Sequence, residues 1–260
     1  MRSTRSSSAM TVRIRSSGMS EQAAMQRRDA LHSEYLQAMG IQQWLPRAET
    51  ADGETVECVP AAAGQAESES VSPDWSALQA QVANCTRCRL HESRTRTVFG
   101  TGNREADWLI IGEAPGADED RQGEPFVGRA GLLLNEILFA AGYRREDVYI
   151  ANILKCRPPD NRNPRPDEVA CCHGYLQQQV DLIQPRIILA VGGIAAHNLL
   201  NTDTPVGKLR GVLHHYGETN IPLVVTYHPA YLLRSPLEKR KVLKDLQFAL
   251  EVFRAGGRAS

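Results

Sequence analysis

The sequence lacks any apolar run that approaches the roughly 20 residues of a membrane-spanning helix. Its beginning also lacks the apolar stretch of a secretory signal. Both absences predict a soluble, intracellular protein. The first eighteen residues contain Arg and Ser but no Asp or Glu, as in an organelle transit peptide. We favour an over-extended start instead, because Met10, Met19 and Met25 could each serve as the initiator.

The chain also lacks net charge, with 30 basic and 30 acidic residues, so composition alone does not favour a nucleic-acid partner. From Val82 onward the balance is only mildly basic, at 23 against 20. A local cluster of Arg234, Lys239, Arg240 and Lys241 could contact phosphates. Charged runs beside a helix are also commonly solvated faces, and both interpretations stay open.

Large apolar residues are almost absent from residues 46–73, where Ala, Glu, Ser, Gly and Pro dominate. Such a segment cannot bury enough surface to offset its chain entropy, which predicts a disordered linker. Residues 1–45 before it form an N-terminal arm, in which apolar spacing predicts a short amphipathic helix over Arg27–Met39. Residues 74–256 remain as the folded domain.

Within that domain, short β-branched runs alternate with stretches of helical apolar spacing. The predicted strands are Trp108–Ile111, Val148–Ala151, Ile187–Val191 and Leu223–Tyr227. The predicted helices are Gly131–Ala141, Asp167–Ile183, Ile194–Leu200 and Leu237–Phe253. This alternation predicts an α/β domain of three layers, with a central four-stranded parallel sheet flanked by helices.

Ligands of such open sheets bind beyond the carboxyl ends of the strands, so the residues that follow each strand are the candidates for function. The first strand is followed by Gly112 to Gly116, the second by Asn152, and the fourth by His228. A lone histidine is more often structural. A His-Pro pair directly after a buried strand favours a functional role.

The six cysteines are Cys58, Cys85, Cys88, Cys156, Cys171 and Cys172. A disulfide framework is not expected inside a cell. Cys85 and Cys88 form a C-x-x-C pair, whose turn lets two thiolates reach one metal centre. Two further cysteines would complete a four-ligand site, but the spacing does not separate zinc from iron–sulfur. The alternative is a redox pair beside small buried thiols.

Three stretches in the same order resemble the family-four, or thermophile-type, iron–sulfur uracil-DNA glycosylases. They are Gly112–Gly131 (GEAPGADEDRQGEPFVGRAG), Asn152–Pro159 (NILKCRPP) and His228–Arg234 (HPAYLLR), and the likeness runs from about Asn84 to Phe253. The resemblance implies a DNA repair enzyme that acts on single- or double-stranded DNA. Such an enzyme flips uracil out, hydrolyses its N-glycosidic bond and leaves free uracil and an abasic site.

The resemblance also implies a [4Fe–4S] cluster on four cysteines. Cys85 and Cys88 match the family's C-x-x-C, and Cys156 matches the third ligand within Lys-Cys-Arg-Pro-Pro. The fourth ligand is similar to Cys172, which precedes His-Gly-Tyr-Leu. The adjacent Cys171 departs from the usual pattern and is the alternative.

Two predicted substrate residues have a physical basis of their own. Phe126, in a glycine-rich stretch, could stack on a flipped base, although it could also be a core aromatic. Asn152 offers one donor and one acceptor, so its amide could pair with uracil O4 and N3–H and reject cytosine's reversed pattern. A turn-capping asparagine is the alternative.

The remaining predicted substrate residues follow from the resemblance. Gly112, Ala114 and Gly116 belong to the pocket motif. Glu119 would lie against uracil C5 and exclude the methyl group of thymine. From composition alone, Glu119 is one of several exposed acids.

For catalysis, His228 is predicted to donate to uracil O2 and so to stabilise the negative charge that develops on the departing base. Related glycosylases with a Gly-Gln-Asp-Pro-Tyr motif use an aspartate to orient the attacking water, and its counterpart here is Ala114. The neighbouring Glu113 is a candidate for positioning that water, and a main-chain carbonyl is the alternative.

Two other functions compete with uracil release. One is a non-catalytic adaptor that binds uracil-containing DNA or a replication partner and uses the metal cluster as a structural staple. The other is the related uracil-binding type, which becomes covalently attached to DNA through a Lys-Arg-Arg-Ile-His loop. Here Arg157–Pro164 follows Cys156 instead, which favours release of free uracil.

The arm carries a second resemblance. Tyr35–Trp44 (YLQAMGIQQW) is similar to the N-terminal peptide of the psi subunit of bacterial clamp loaders. This likeness implies a clamp-loader contact through the arm, in a bacterial cytoplasm. The alternative is that the arm packs onto its own domain. We expect a monomer.

Overall fold

The computed structural model describes residues 74–256, so the predictions for the arm and the linker lie outside the described residues. The helices are α1 Trp75–Ala83, α2 Leu90–Ser93, α3 Ala117–Gln122, α4 Arg129–Ala140, α5 Pro166–Ile183, α6 Gly193–Leu200, α7 Val206–Leu209, α8 Pro229–Arg234 and α9 Lys239–Gly256. Three 3₁₀ turns cover Arg145–Asp147, Pro159–Asn161 and Pro236–Glu238. Between Asp74 and Gly256, no helix has the length and apolar character needed to cross a membrane.

The strands are β1 Thr101–Gly102, β2 Trp108–Gly112, β3 Tyr149–Asn152, β4 Ile187–Val191, β5 His214–Tyr216 and β6 Ile221–Thr226. They form one sheet in the order β1-β3-β2-β4-β6-β5. The four inner strands pair in parallel, whereas β1 and β5 pair antiparallel at the two edges. The α/β class is confirmed. The predicted count of four strands was too low, because edge strands of two or three residues are too short to show an alternating pattern.

Helices cover both faces of the sheet. Every residue of β2 is buried, and its side chains alternate between two separate cores. Leu109 and Ile111 join a core that includes residues of α5 and α6. Trp108 and Ile110 join another core with residues of α4, α8 and α9. The continuous apolar character of this strand follows from its burial on both sides.

A buried ion pair ties α9 to the end of β6. The carboxylate of Asp245 accepts hydrogen bonds from Arg210 Nε at 2.7 Å and Nη2 at 2.8 Å. The hydroxyl of Thr226, the last residue of β6, donates to the same carboxylate at 2.7 Å. Because His228 follows two residues later, this network fixes the strand end from which the His228 segment leaves the sheet.

Candidate active site

The carboxyl ends of β2 and β3 bring three predicted site residues together. Gly112 ends β2, and Asn152 ends β3 in register beside it. A Cβ at Gly112 would lie 2.5 Å from Asn152 Oδ1 and 2.6 Å from Phe126 Cζ. Only glycine therefore lets the amide and the ring approach the strand end this closely, which explains the residue at position 112.

Asn152 is 2% exposed, and its Oδ1 has no hydrogen-bond partner among the described residues. Its backbone carbonyl is held from below by Lys155, whose buried Nζ donates to it at 2.9 Å and to Gln179 Oε1 at 2.6 Å. An acceptor left unpaired in the interior costs stability. The main chain of Asn152 is therefore held in place, and its Oδ1 is a buried acceptor that a ligand's N–H could satisfy.

Phe126 lies in the segment Pro125–Gly128, here called the Phe126 loop. Its ring is buried, and the ring centroid is 5.6 Å from that of His228 with 31° between the planes. The structure thus brings Phe126 between Gly112 and His228. The stacking role of Phe126 stays a prediction, and the ring also belongs to the core that packs on α4.

Glu119, on α3, braces the Phe126 loop. Its Oε1 accepts hydrogen bonds from the N–H groups of Val127 at 3.0 Å and Gly128 at 3.1 Å. Its Oε2 accepts from the N–H of Gly116 at 3.1 Å, at the start of the helix. This bracing was not foreseen from the sequence. The predicted exclusion of thymine by Glu119 stays a prediction.

His228 precedes α8 and caps its first turn. Its Nδ1 accepts a hydrogen bond from the N–H of Ala230 at 3.2 Å, which leaves Nε2 to carry the ring hydrogen. Burial lowers the pKa of His228 to about 4, with the positive charge of Arg234 acting in the same direction and Glu119 opposing it. At neutral pH the imidazole is therefore an uncharged donor through Nε2.

Glu113 and Ala114 follow Gly112. The side chain of Glu113 is partly buried, and this burial raises the pKa of its carboxyl. Its main chain is anchored, since the carbonyl accepts the N–H of Leu154 at 3.1 Å. Ala114 packs against the apolar cluster around the cysteines. The role of Glu113 in positioning the attacking water stays a prediction.

Four free cysteines, Cys85, Cys88, Cys156 and Cys172, line one cavity between the C-x-x-C segment and α5. Two of the sulfurs accept hydrogen bonds: Cys156 Sγ from Arg94 Nη1 at 3.1 Å and Cys172 Sγ from Lys155 N at 3.3 Å. Across residues 74–256, no three His, Cys, Asp or Glu side chains are gathered closely enough to share a single metal ion.

Cys171 also borders this cavity, but its sulfur contacts the carbonyl of Arg87 at 3.3 Å. Its surroundings therefore differ from those of Cys172, whose sulfur accepts a hydrogen bond from the N–H of Lys155. Both cysteines border the cavity, so the assignment of Cys172 as the fourth ligand stays a prediction.

Sequence reasoning missed two residues that support the site. Lys155 is a buried cation behind Asn152, and Arg145 donates to carbonyl groups of the Phe126 loop. Lys155 lies within the Asn152–Pro159 motif, directly before Cys156, and this position is the sequence signal that indicates it. Arg145 lies in no motif. Its contact is to a carbonyl group 19 positions away, which local residue spacing does not indicate.

Comparison with known proteins places these features in a family. The model of the uracil DNA glycosylase superfamily matches residues 99–247. A type-4 uracil-DNA glycosylase of Archaeoglobus fulgidus is 42% identical over 174 residues, covering 64% of this chain and 87% of that protein. One from Thermotoga maritima is 43% identical over 182 residues, covering 68% and 93%. A type-5 uracil-DNA glycosylase of Pyrobaculum aerophilum is 29% identical over 186 residues, covering 58% and 80%. The chain belongs to the uracil DNA glycosylase superfamily and, within it, to the type-4 uracil-DNA glycosylases.

Proposed function

We propose that this protein removes uracil from DNA by hydrolysing the N-glycosidic bond of a flipped-out deoxyuridine, and that it leaves free uracil and an abasic site. The observation that carries the proposal is the buried, unpaired Oδ1 of Asn152, next to the ring of Phe126. A flipped base needs an aromatic surface to stack on and polar groups that read its edge, and these two side chains supply both.

The chemistry of the Asn152 amide suits uracil. Uracil presents an N3–H donor and an O4 acceptor side by side, and an amide offers the matching acceptor and donor. Cytosine presents an unprotonated N3 and an exocyclic amine, so it would set acceptor against acceptor and donor against donor. A site that leaves such groups unpaired discriminates strongly.

His228 is proposed to act on the departing base. Cleavage of the glycosidic bond leaves negative charge on uracil, and a donor aimed at O2 would stabilise that charge. The hydrogen bond from Ala230 to Nδ1 supports this role, because it leaves the Nε2–H free to donate. The ring does not need to be charged for this purpose.

Glu113 is proposed to position the attacking water. Burial raises the pKa of its carboxyl, so once ionised it is a stronger base than an exposed glutamate. With alanine at position 114, no carboxylate stands at the place where related glycosylases with a Gly-Gln-Asp-Pro-Tyr motif have an aspartate.

The test is a uracil-release assay with single-stranded DNA that contains one deoxyuridine. We expect free uracil and an alkali-sensitive abasic site. A protein that binds this DNA without releasing base would be the non-catalytic adaptor instead. A covalent protein–DNA adduct would indicate the uracil-binding type that traps its substrate.

We also propose that Cys85, Cys88, Cys156 and Cys172 hold a [4Fe–4S] cluster. A zinc ion at Zn–S distances of about 2.3 Å would bring tetrahedral sulfurs to about 3.8 Å from one another. All four sulfurs border one cavity, which supports a shared centre, and the likeness to the iron–sulfur uracil-DNA glycosylases favours a [4Fe–4S] cluster over zinc. The bound cluster would fasten the C-x-x-C segment to α5 and could carry an electron.

A partner is proposed for the N-terminal arm. The likeness of Tyr35–Trp44 to a clamp-loader peptide suggests that the arm recruits the enzyme to replication machinery, in the way that a tethered helix binds a groove. A peptide covering residues 25–50 is expected to bind a bacterial clamp-loader complex, and a Trp44→Ala peptide to bind far less. No binding would favour an arm that packs onto its own domain.

A further inference from the structure

The backbone of Phe126 adopts a conformation that phenylalanine rarely takes. Its φ of 54° lies in the left-handed region, which is unfavourable for any residue with a Cβ. Such a conformation persists only where the surrounding structure holds it, and it is concentrated at binding sites. The Phe126 loop must therefore be held by groups outside itself.

Arg145 holds the carbonyl side of this loop. Its Nη1 donates to Phe126 O at 3.3 Å, and its Nη2 donates to Pro125 O. The same Nη1 lies 3.4 Å from Asn135 Oδ1 on α4, which steadies the guanidinium between helix and loop. A planar guanidinium presents donors side by side, so it can serve two neighbouring carbonyls at once, whereas a lysine offers a single point charge.

Glu119 holds the opposite side. Its Oε1 accepts the N–H groups of Val127 and Gly128, the two residues after Phe126. The Arg145 guanidinium thus binds the carbonyl groups before the turn, and the Glu119 carboxylate binds the N–H groups after it. Phe126, with its left-handed backbone, lies between these two sets of hydrogen bonds.

The third side is closed by α4. A Cβ at Gly131 would lie 1.7 Å from the carbonyl oxygen of Phe126, so the first turn of α4 touches the loop backbone directly. The loop has no room to relax towards this helix. Without the Arg145 contacts, fewer groups would hold Phe126 in its left-handed conformation, and its ring, 5.6 Å from that of His228 between centroids, would be less firmly placed.

Arg145 also begins the turn that leads into β3, the strand that ends at Asn152. One short stretch of chain therefore links the guanidinium that holds the Phe126 loop to the strand that ends at Asn152. We propose that Arg145 is a positioning residue that, together with Glu119, keeps Phe126 in its left-handed conformation and so sets the surface on which the flipped uracil stacks. This inference rests on the proposed uracil-releasing function.

The experiment compares Arg145→Met with Arg144→Met in the full-length protein. Arg144 is the adjacent arginine, its side chain is 74% exposed, and it pairs only loosely with Glu146 at 3.8 Å. With single-stranded uracil-DNA, Arg145→Met is expected to raise KM about tenfold and to weaken inhibition by free uracil by a similar factor, in the range of a partly lost base stack. The change in kcat should be smaller. Arg144→Met should match the wild type.

A double-mutant cycle with Phe126→Ala separates positioning from general loss of structure. If Arg145 acts through the ring, Arg145→Met should weaken uracil inhibition no further once the ring is removed. Effects that multiply would overturn the proposal, as would wild-type KM and uracil inhibition in Arg145→Met. If Arg145→Met does not fold, Arg145→Lys takes its place in the same cycle. A wild-type protein that releases no uracil would instead defeat the proposed function, independently of Arg145.

Discussion

The Nδ1 of His228 accepts a hydrogen bond from the backbone N–H of Ala230 at 3.2 Å, so the ring presents its hydrogen at Nε2. Burial lowers the pKa of His228 to about 4. The donor form is therefore the neutral ring throughout the physiological range.

We expect His228→Ala to lower the rate of uracil release by about 10²-fold or more, as for other lost transition-state donors. The wild-type rate profile should show no inflection near pH 6.5 from this residue. An acid limb at that pH that disappears in His228→Ala would contradict the neutral role.

The depressed pKa of His228 also predicts a dependence of stability on pH. The unfolded chain takes up a proton near pH 6.5, whereas the folded protein does so only near pH 4. Stability is therefore lost as pH falls below 6.5. Between pH 7 and pH 5.5 this group should account for a loss of about 1 kcal/mol in the free energy of unfolding. Urea denaturation of the wild type and of His228→Asn at pH 7 and pH 5.5 measures this loss. Equal losses of unfolding free energy in the two proteins would count against the prediction.

Asn152→Ala is expected to reduce uracil release by about 10²-fold or more while the fold is retained, because it removes the groups that would pair with the base edge. Asn198→Ala provides the control, since this exposed amide donates only to its own helix at Ile194 O. Steady-state release from single-stranded uracil-DNA measures both variants. A near-normal rate of uracil release by Asn152→Ala would show that Asn152 does not bind the base.

Glu119→Gly tests the predicted exclusion of thymine and the bracing of the Phe126 loop together. If the side chain fills the space near C5, the variant should release some thymine, although slowly, since discrimination of one methyl group is modest. Losing the acceptor for Gly116, Val127 and Gly128 should also lower its melting temperature. Asp118→Gly, in the same helix turn and paired only with Arg121, is the matched control. Thermal loss without thymine release would leave Glu119 with the bracing role alone.

The cysteines can be separated by iron content. Replacing Cys85, Cys88, Cys156 or Cys172 by Ala should lower bound iron, the broad visible absorbance and the melting temperature. Cys171→Ala should keep the iron, because the sulfur of Cys171 contacts the Arg87 carbonyl rather than the N–H of Lys155. If Cys171→Ala loses the iron and Cys172→Ala keeps it, Cys171 is the fourth ligand. A colourless protein that contains zinc would refute the cluster.

Much of the fold follows from periodicity, because buried parallel strands are apolar throughout and their covering helices are amphipathic. Helix α5, predicted from Asp167, begins at Pro166 and ends at Ile183 as expected. The same logic placed Asn152 at the end of β3 and His228 just beyond β6. The edge strands β1 and β5 and the helices α1, α2, α3, α7 and α8 were not predicted. All but α1 are too short to establish a period, and the nine residues of α1 bury only Leu78 and Val82.

The supporting contacts of the site could not be predicted in this way. The carboxylate of Glu119 binds backbone N–H groups, which every non-proline residue carries and no sequence pattern reveals. Arg145 reaches across some twenty positions to Pro125 O for the same reason. Such contacts depend on how the loops are folded against one another.

The unpaired Oδ1 of Asn152 has a consequence for the evolution of this protein. A buried acceptor without a donor destabilises the free protein by about 1–3 kcal/mol. An apolar side chain of similar shape would remove this cost, so selection on uracil recognition is what we expect to keep the amide. A heat-adapted descendant that kept the asparagine would have to gain its stability elsewhere in the fold.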